Sequence, residues 1–437
     1  MREMKGSGIE WIGAIPQDWK TDRLQWHLKE INVSNNPIQT KNVLSLTIEA
    51  GVIPYAEKGN QGNKAKEDYS QYKIALPDTL VINSMNVIIG AVGISQYFGC
   101  VSPVYYVFEP IEGTDLRYIY YLFTNTGFQK EMRKYAKGIL EIRLRISSND
   151  MLKRIVPSPP FKEQQRIADY LDKMCAEIDA VLEKIRASIE EYKKLKQAVI
   201  TQTVTKGIRG DRSMKNSGIE WIGDIPAEWK VASIGRFCFV TKLAGFEFTN
   251  DMMSNIQDSG DIPIVRAQNI KMGKFINNIS EFIPYRISQK LERCALNRKC
   301  LIITFIGAGI GEVAIFNEPK RYHLAPNVAK IVINVGMEHF VTEEYLLYFL
   351  MSFAGQEEIN KIKKATAQPS LSMGTIRSIK MVLPDSIEEQ SEIVSYLDMR
   401  CASIDALIAK KQQYLIEIEN YKKSLIYEYV TGKKEVV

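Results

Sequence analysis

Apolar residues recur in alternating steps of four and three along two long stretches of this chain. In the first, Ile167, Leu171, Met174, Ile178, Val181, Ile185, Ser188, Tyr192, Leu195 and Val199 form one line. In the second the line is Ile393, Leu397, Arg400, Ile404, Leu407, Lys411, Tyr414, Ile418, Tyr421 and Leu425. Such steps place a stripe on one face of a helix, and their heptad period is that of a coiled-coil seam. Ser188 breaks the first stripe. Arg400 and Lys411 interrupt the second, which would therefore pair poorly with a copy of itself. At ~1.5 Å per residue each stripe runs roughly 50 Å.

Between these helices the pattern shortens. Residues 41–48, 79–85, 86–95 and 102–109 are β-like runs punctuated by Gly, Pro and Asn, followed by a helical stretch at 116–136. Residues 262–270, 301–307, 312–316 and 327–335 repeat that order with other residues, and 343–364 is again helical. Residues 301–316 read as buried strands around a turn.

The two long helices are copies of each other. Glu163-Gln164 matches Glu389-Gln390, Tyr170-Leu171-Asp172 matches Tyr396-Leu397-Asp398, and Val204-Thr205 matches Val430-Thr431, at a constant offset of 226. A second repeat opens each half: Ser7–Gly13 recurs as Ser217–Gly223, followed by Ile15-Pro16 and Trp19-Lys20, then by Ile225-Pro226 and Trp229-Lys230, at an offset of 210. The second half thus carries 16 more residues between its repeated parts. A period this long signals duplication of a half-molecule. The repeated tryptophans are expected to pack, clamping the start of each domain, because identical residues cannot explain different contacts. The expected organisation is residues 1–160 as one α+β domain, 161–206 as the first long helix, 207–217 as a linker, 218–386 as a second α+β domain, and 387–437 as the second helix.

Composition adds bounds. The chain has 437 residues, enough for two or three domains, with 57 Lys and Arg against 51 Asp and Glu, a net charge of +6. This basic lean permits a polyanionic partner without demonstrating one. Six cysteines, at 100, 175, 238, 294, 300 and 401, stand far apart with no CxxC or Cys/His ligand spacing. That argues against zinc and for reduced thiols, with Cys175 and Cys401 as small apolar packing residues. The start, MREMKGSGIEW, has no apolar core of a secretory signal, so a cytoplasmic location is expected.

The WIGxIPxxW openings, the helix starts PPFKEQxRIAxYLD and EEQxxIVxYLD, and the VTxG-like helix ends together resemble the specificity subunits of type I restriction-modification systems. NSMNVIIGAVGIS…GCVSPVYYVF (83–108) and TFIGAGIGEVAIF…LAPNVAKIVI (304–332) look like common patterns of that family's recognition domains. The resemblance covers nearly the whole chain. It implies an α+β fold with two target-recognition domains related by a pseudo-twofold and separated by two long helices that form an antiparallel coiled coil. It also implies double-stranded DNA as ligand, read as two different half-sites. Partners would be modification (methyltransferase) subunits, two of them, and restriction subunits. S-adenosylmethionine, ATP and Mg would sit on those partners and none on this chain.

Catalysis by the chain itself finds little support. Ser158-Pro159-Pro160-Phe161 matches the tetrapeptide of amino-group DNA methyltransferases, but the expected glycine-rich cofactor loop near an early strand is missing. Gly307-Ala308-Gly309-Ile310-Gly311 lies in the other half and runs on as a strand. No Walker A loop, HExxH or nucleophile–histidine motif is present. A self-sufficient methyltransferase and a duplicated scaffold without DNA affinity are the alternatives.

What remains is binding chemistry. Lys130, Arg133, Lys134, Lys137, Arg143 and Arg145 cluster ahead of the first long helix; Lys361, Lys363 and Lys364, with Gln368, stand at the equivalent place in the second half. Lysine neutralises phosphates, while Arg and Gln can read guanine and adenine edges. Asn83, Ser84 and Asn86 in one half, and Arg266, Gln268 and Asn269 in the other, are further base-reading candidates.

Overall fold

The computed structural model describes residues 2–59, 68–138, 144–364 and 370–436. The chain divides into two compact units: Met1–Arg186 with Gln412–Val437, and Ala187–Lys411. Both long helices therefore contribute to both units. Among the described residues no helix is long and apolar enough to cross a membrane.

The first unit is built on a four-stranded antiparallel sheet of β1 (Leu28–Ile31), β2 (Thr79–Asn83), β3 (Val92–Ser95) and β4 (Tyr105–Pro110), in the order β1-β4-β2-β3. Two short helices follow, α1 (Leu116–Thr124) and α2 (Thr126–Arg133), then the long α3 (Phe161–Lys206). The second unit repeats the plan. Strands β5 (Cys238–Lys242), β6 (Cys300–Thr304), β7 (Val313–Phe316) and β8 (Val328–Ile333) take the order β5-β8-β6-β7, followed by α4 (Glu343–Met351), α5 (Phe353–Lys364) and the long α6 (Ile387–Val430). Every residue of β6 and β8 is buried and all but Thr304 and Lys330 are apolar, because a helix covers one face and further structure the other.

Matching strands locates the extra residues. Leu28 corresponds to Cys238 (offset 210), Asn83 to Thr304 (221), Tyr105 to Val328 (223) and Leu116 to Glu343 (227). The growth falls largely between the first and second strands of the sheet. There the first unit has a hairpin, Leu44–Thr47 with Gly51–Pro54, and a pair, Lys73–Ala75 with Gly99–Val101. The second has a four-stranded mixed sheet of Phe282–Ile283, Ile262–Val265, Tyr322–Leu324 and Ala295–Leu296.

Each helical stretch expected as one piece is two. Asn125 and Ser352 take extended backbone angles (φ −72°, ψ 127° and φ −66°, ψ 161°) and end α1 and α4. Asn125 Oδ1 then accepts from the amides of Gly127 (2.8 Å) and Phe128 (3.2 Å), and Ser352 Oγ from that of Gly355 (3.1 Å). Side chains that serve as N-caps restart a helix in a new direction more readily than they continue one.

The long helices pair antiparallel within each unit. In the first, Lys422 donates to Asp179 (2.6 and 2.7 Å), Arg186 to Glu419 (2.9 Å), and Tyr170 packs on Tyr429. In the second, Lys196 donates to Asp405 (2.8 and 2.7 Å) and the Lys411 ammonium lies 5.6 Å over the Tyr192 ring. Asp179–Lys422 and Asp405–Lys196 are the same pair under the 226-residue offset. Exposed pairs of this kind contribute at most about 1 kcal/mol each, so they fix direction and register more than stability.

The buried line departs from the expected seam. Ile167, Leu171, Ile178, Ile393, Leu397 and Ile404 are buried, while Ile185 and Ile418 are half-buried. But Val181 and Leu407 are 45% and 41% exposed, and Met174 is only half-buried. Cys175, Leu182 and Ile189 take the inner positions of the first helix, and Cys401 that of the second. Arg400 therefore points outward and interrupts nothing. The reason is that a helix of 3.6 residues per turn drifts off a strict 3.5 period, so a second step of four, Leu171 to Cys175, keeps the stripe facing inward. All six cysteines are free and buried, and burial raises their thiols, Cys238 and Cys300 to about 12.

Both units anchor the ends of the long helices with the same side chains. Trp19 and Trp229 are fully buried, each with an arginine 5.8 Å over its ring: Arg2, bound to Asp18 and Glu163, and Arg212, bound to Glu228 and Glu389. The helix ends are glycines at φ 77° (Gly207) and 70° (Gly432), and a Cβ at either would press on that tryptophan. Both the left-handed turn and the close approach require glycine.

Candidate nucleic-acid interface

Helix α2 buries Phe128 and Met132 and so turns Lys130, Arg133 and Lys134 outward. Lys134 is held by Glu131 (2.9 Å) and Glu10 (3.2 Å), which raise its pKa. The chain then forms a neck in which Lys137 and Arg145 exchange both backbone hydrogen bonds at 2.8 Å. Both side chains are exposed; Arg143 lies outside the described residues. Arg154 stacks 3.3 Å over Tyr135 and occupies its face.

This neck meets the turn between β2 and β3. The Ile146 amide donates to the Ser84 carbonyl (3.2 Å) and Arg145 Nε to Ser84 Oγ (3.2 Å). Asn83 and Ser84, expected to read bases, are buried instead, at 7% and 1% exposure. Asn83 Oδ1 accepts from the Met85 amide (3.0 Å), because a sharp turn leaves backbone groups that a short side-chain amide can satisfy. Asn86 is half-buried, and its side chain caps nothing. Of the first-half candidates, Lys130, Lys137 and Arg145 thus lie on a cationic surface that meets the turn, where Asn86 is half-buried and Asn83 and Ser84 are buried.

The second unit has the same frame with different contents. The Leu371 amide donates to the Phe305 carbonyl (2.9 Å), the counterpart of Ile146 to Ser84. Lys361 is exposed, its ammonium 5.0 Å over Trp221. Lys363 and Lys364 close α5, with side chains outside the description, and Gln368 lies outside the described residues. Ser372 caps a helix through the Thr375 amide (3.0 Å). Arg266 is tied to Glu281 (2.7 Å) and Gln268 is exposed. Asn269 is buried, with its oxygen accepting from the Arg266 amide and its nitrogen donating to the Ile276 and Asn278 carbonyls. Asn269 holds its turn. That segment meets the main sheet where the Gly273 amide donates to the Val313 carbonyl (2.8 Å).

Ser158-Pro159-Pro160-Phe161 is a structural joint. Ser158 ends a strand paired with Lys20–Arg23, and the Pro160 carbonyl accepts the Glu163 and Gln164 amides that open α3. The 301–316 stretch is β6, a glycine turn and β7, so the glycine run leads into a strand as expected.

Comparison with known proteins fits this duplicated frame. The Type I restriction modification DNA specificity domain matches residues 16–191 and again 226–420. The chain belongs to that family. The Type I restriction enzyme MjaVIII specificity subunit of Methanocaldococcus jannaschii is 26% identical over 328 residues, 74% of this chain and 71% of that one. A chain from a structure addressing complex assembly and conformational transition of the type I R-M system superposes with a TM-score of 0.72 at 13% identity, covering 96% of this chain and 99% of that one. The HsdS subunit from Thermoanaerobacter tengcongensis gives 0.50 at 14% identity, covering 96% and 98%. The structural likenesses speak to fold alone.

Four side chains that anchor this specificity-family frame escape a motif reading. Tyr118 Oη lies 2.9 Å from the Val430 carbonyl and 3.2 Å from that of Pro157; Tyr345 Oη lies 3.1 Å from the Val204 carbonyl and 3.0 Å from that of Val382. Each phenol meets the last turn of a long helix, and burial raises both far above the usual phenol range. One turn on, Tyr121 donates to Asp172 (2.7 Å) and Tyr348 to Asp398 (2.6 Å). The signal was the Tyr-x-x-Tyr pair at an offset of 227.

Proposed function

We propose that this chain reads a bipartite, asymmetric DNA site, one half-site per recognition domain, and directs partner subunits to methylate adenine or cleave. The observation that carries this reading is the contrast between a repeated frame and unlike surfaces at one place on it. Ser84 with Arg145, and Phe305 with Ser370, stand at equivalent places beside the Ile146–Ser84 and Leu371–Phe305 backbone bonds, but Arg145 bridges Lys137 and bonds Ser84 whereas Ser370 bridges Ile306. Two copies of one reader would keep both. Lys130, Lys137 and Arg145 neutralise phosphates, and the turn residues approach base edges. Modification subunits, two of them, dock on the long helices, where Val181, Leu195, Leu407, Tyr414 and Tyr421 are 41–52% exposed. They bring S-adenosylmethionine and flip the target adenine; restriction subunits bring ATP and Mg. The joint role of Ser158–Phe161 supports a recognition subunit that leaves catalysis to its partners.

The test is DNA binding by this chain assembled with its modification subunits. Affinity is expected to fall steeply with salt, and Lys130→Ala or Lys137→Ala to lower the slope by about 1 while weakening all sequences alike. An assembled complex whose DNA affinity ignores salt would leave the non-DNA scaffold as the better reading. Methyl transfer by the purified chain alone would favour the methyltransferase.

A further inference from the structure

A cleft of about 320 Å³ opens in the first unit beside the β2–β3 turn. Its apolar wall comes from the 44–54 hairpin, and Asn86, Ser102 and Tyr105 line its polar side. Among the described residues no protein group hydrogen-bonds the side chains of these three. Polar groups gathered around a concave space without partners are a donor and acceptor set awaiting a ligand. Lys58 stands at the same cleft, 5.2 Å over the Tyr55 ring, and adds a cation.

The second unit fills the equivalent positions differently. Tyr105 donates its amide to the Ser102 carbonyl (2.9 Å), and Val328 donates to Ala325 in the same way (3.2 Å). Strand pairing makes Asn83 equivalent to Thr304, which places Asn86 at Gly307. The polar residues Asn86, Ser102 and Tyr105 thus correspond to Gly307, Ala325 and Val328. Ala325 and Val328 are buried, at 1% and 0%, in the core under the additional mixed sheet. The second unit buries two of the three positions with apolar side chains, and the first leaves all three polar and half-buried.

The turn 83–86 joins the cleft to the cationic surface. Asn83, Met85 and Asn86 line the cleft, while Ser84 between them holds Arg145. A duplex whose phosphates lie along Lys130, Lys137 and Arg145 would present its bases at this turn. Resting on the DNA reading above, we propose that this cleft is the base-reading pocket of the first recognition domain. Asn86, Ser102 and Tyr105 hydrogen-bond one nucleobase, and Lys58 meets the adjacent backbone. Burial raises the Tyr105 phenol, so its proton stays available as a donor at neutral pH.

The experiment uses the chain assembled with its modification subunits and a set of duplexes, each carrying one substituted base pair in either half-site. Tyr105→Phe and Asn86→Ala are expected to reduce discrimination at one or two positions of the first half-site by about tenfold, within the range of a lost base contact. Discrimination throughout the second half-site stays unchanged, as does the thermal midpoint of the Tyr105→Phe variant. Unaltered discrimination at every first-half position would overturn the proposal, as would an equal loss of affinity for all sequences. A wild-type complex with no sequence preference would instead overturn the DNA reading beneath it.

Discussion

The two units hold a long-helix end with the same side chains and present their surfaces with different ones. Arg2, Glu163 and Trp19 in the first correspond to Arg212, Glu389 and Trp229 in the second. Gln164 accepts the Asp115 amide (3.0 Å) and Gln390 the Thr342 amide (3.1 Å), so even the opening of α1 and α4 is capped by the same glutamine. These groups are buried or half-buried and bound to one another through the arginine–glutamate pairs, where replacing one member strands another. The surfaces at the turns carry no such debt to their neighbours. Within the helix-end frame, the repeated side chains are those whose loss would leave a close partner unpaired. That is the division of labour a modular reader needs.

The strongest way to break this comparison is to exchange residues 20–156 for another recognition domain of the family. The methylated site of the assembled system should change completely in its first half and stay the same in its second. Sequencing the methylated positions reads this directly, and a change in both halves would show that the units do not act separately.

A smaller effect sharpens the comparison inside the frame. Trp19→Ala or Trp229→Ala should each cost about 3–5 kcal/mol, because a fully buried indole leaves a cavity. Phenylalanine should separate the two sites. Trp229 Nε1 donates to Glu389 (3.2 Å), whereas Trp19 Nε1 is buried with no hydrogen-bond partner among the described residues. Both Phe variants lose similar volume, but only Trp229→Phe breaks a hydrogen bond to a charged group. Chemical denaturation should therefore find it about 1–2 kcal/mol more costly than Trp19→Phe; equal costs would mean the two cradles are energetically alike.

Much of this frame was legible because it is written twice. The long helices, the paired openings and the repeated succession of strand-like runs and helices follow from periodicity and repetition, since burial of one face imposes the same pattern on any sequence that adopts the fold. The seam was misplaced at Met174, Val181, Arg400 and Leu407, where a strict heptad drifts from the true turn of the helix. Asn83 and Asn269 look like readers in sequence because an amide that satisfies its own turn has the composition of one that satisfies a base. Tyr105 and Ser102 could not be singled out. Their significance lies in a cleft made by chain segments some 50 residues apart, and in their contrast with Val328 and Ala325, visible only once the strands are paired.

The last comparison sets a histidine against a phenylalanine. His27 and Phe237 occupy the same position at the offset of 210, and both donate their backbone amide to the residue three before, Leu24 or Ile234. Both are buried, at 7% and 2%. His27 places Nδ1 3.1 Å from Thr114 Oγ1, while Nε2 is buried without a partner. Burial lowers the imidazole pKa below its ordinary 6.5, and the Asp22 charge opposes this only in part. The folded state therefore binds the proton less readily than the unfolded chain. Stability is whole above pH 6.5 and declines as pH falls through that value toward the lower folded one. His27→Phe removes this loss in the first unit while forfeiting the Thr114 contact, worth about 1 kcal/mol. At pH 7.5 the variant should be slightly less stable than the parent in denaturant, and by pH 5 the gap should close or reverse. His323 of the second unit, also lowered by burial, leaves a common acid dependence in both proteins, so the informative quantity is their difference. A gap that widens as the pH falls would mean that His27 takes up its proton in place and is no analogue of Phe237.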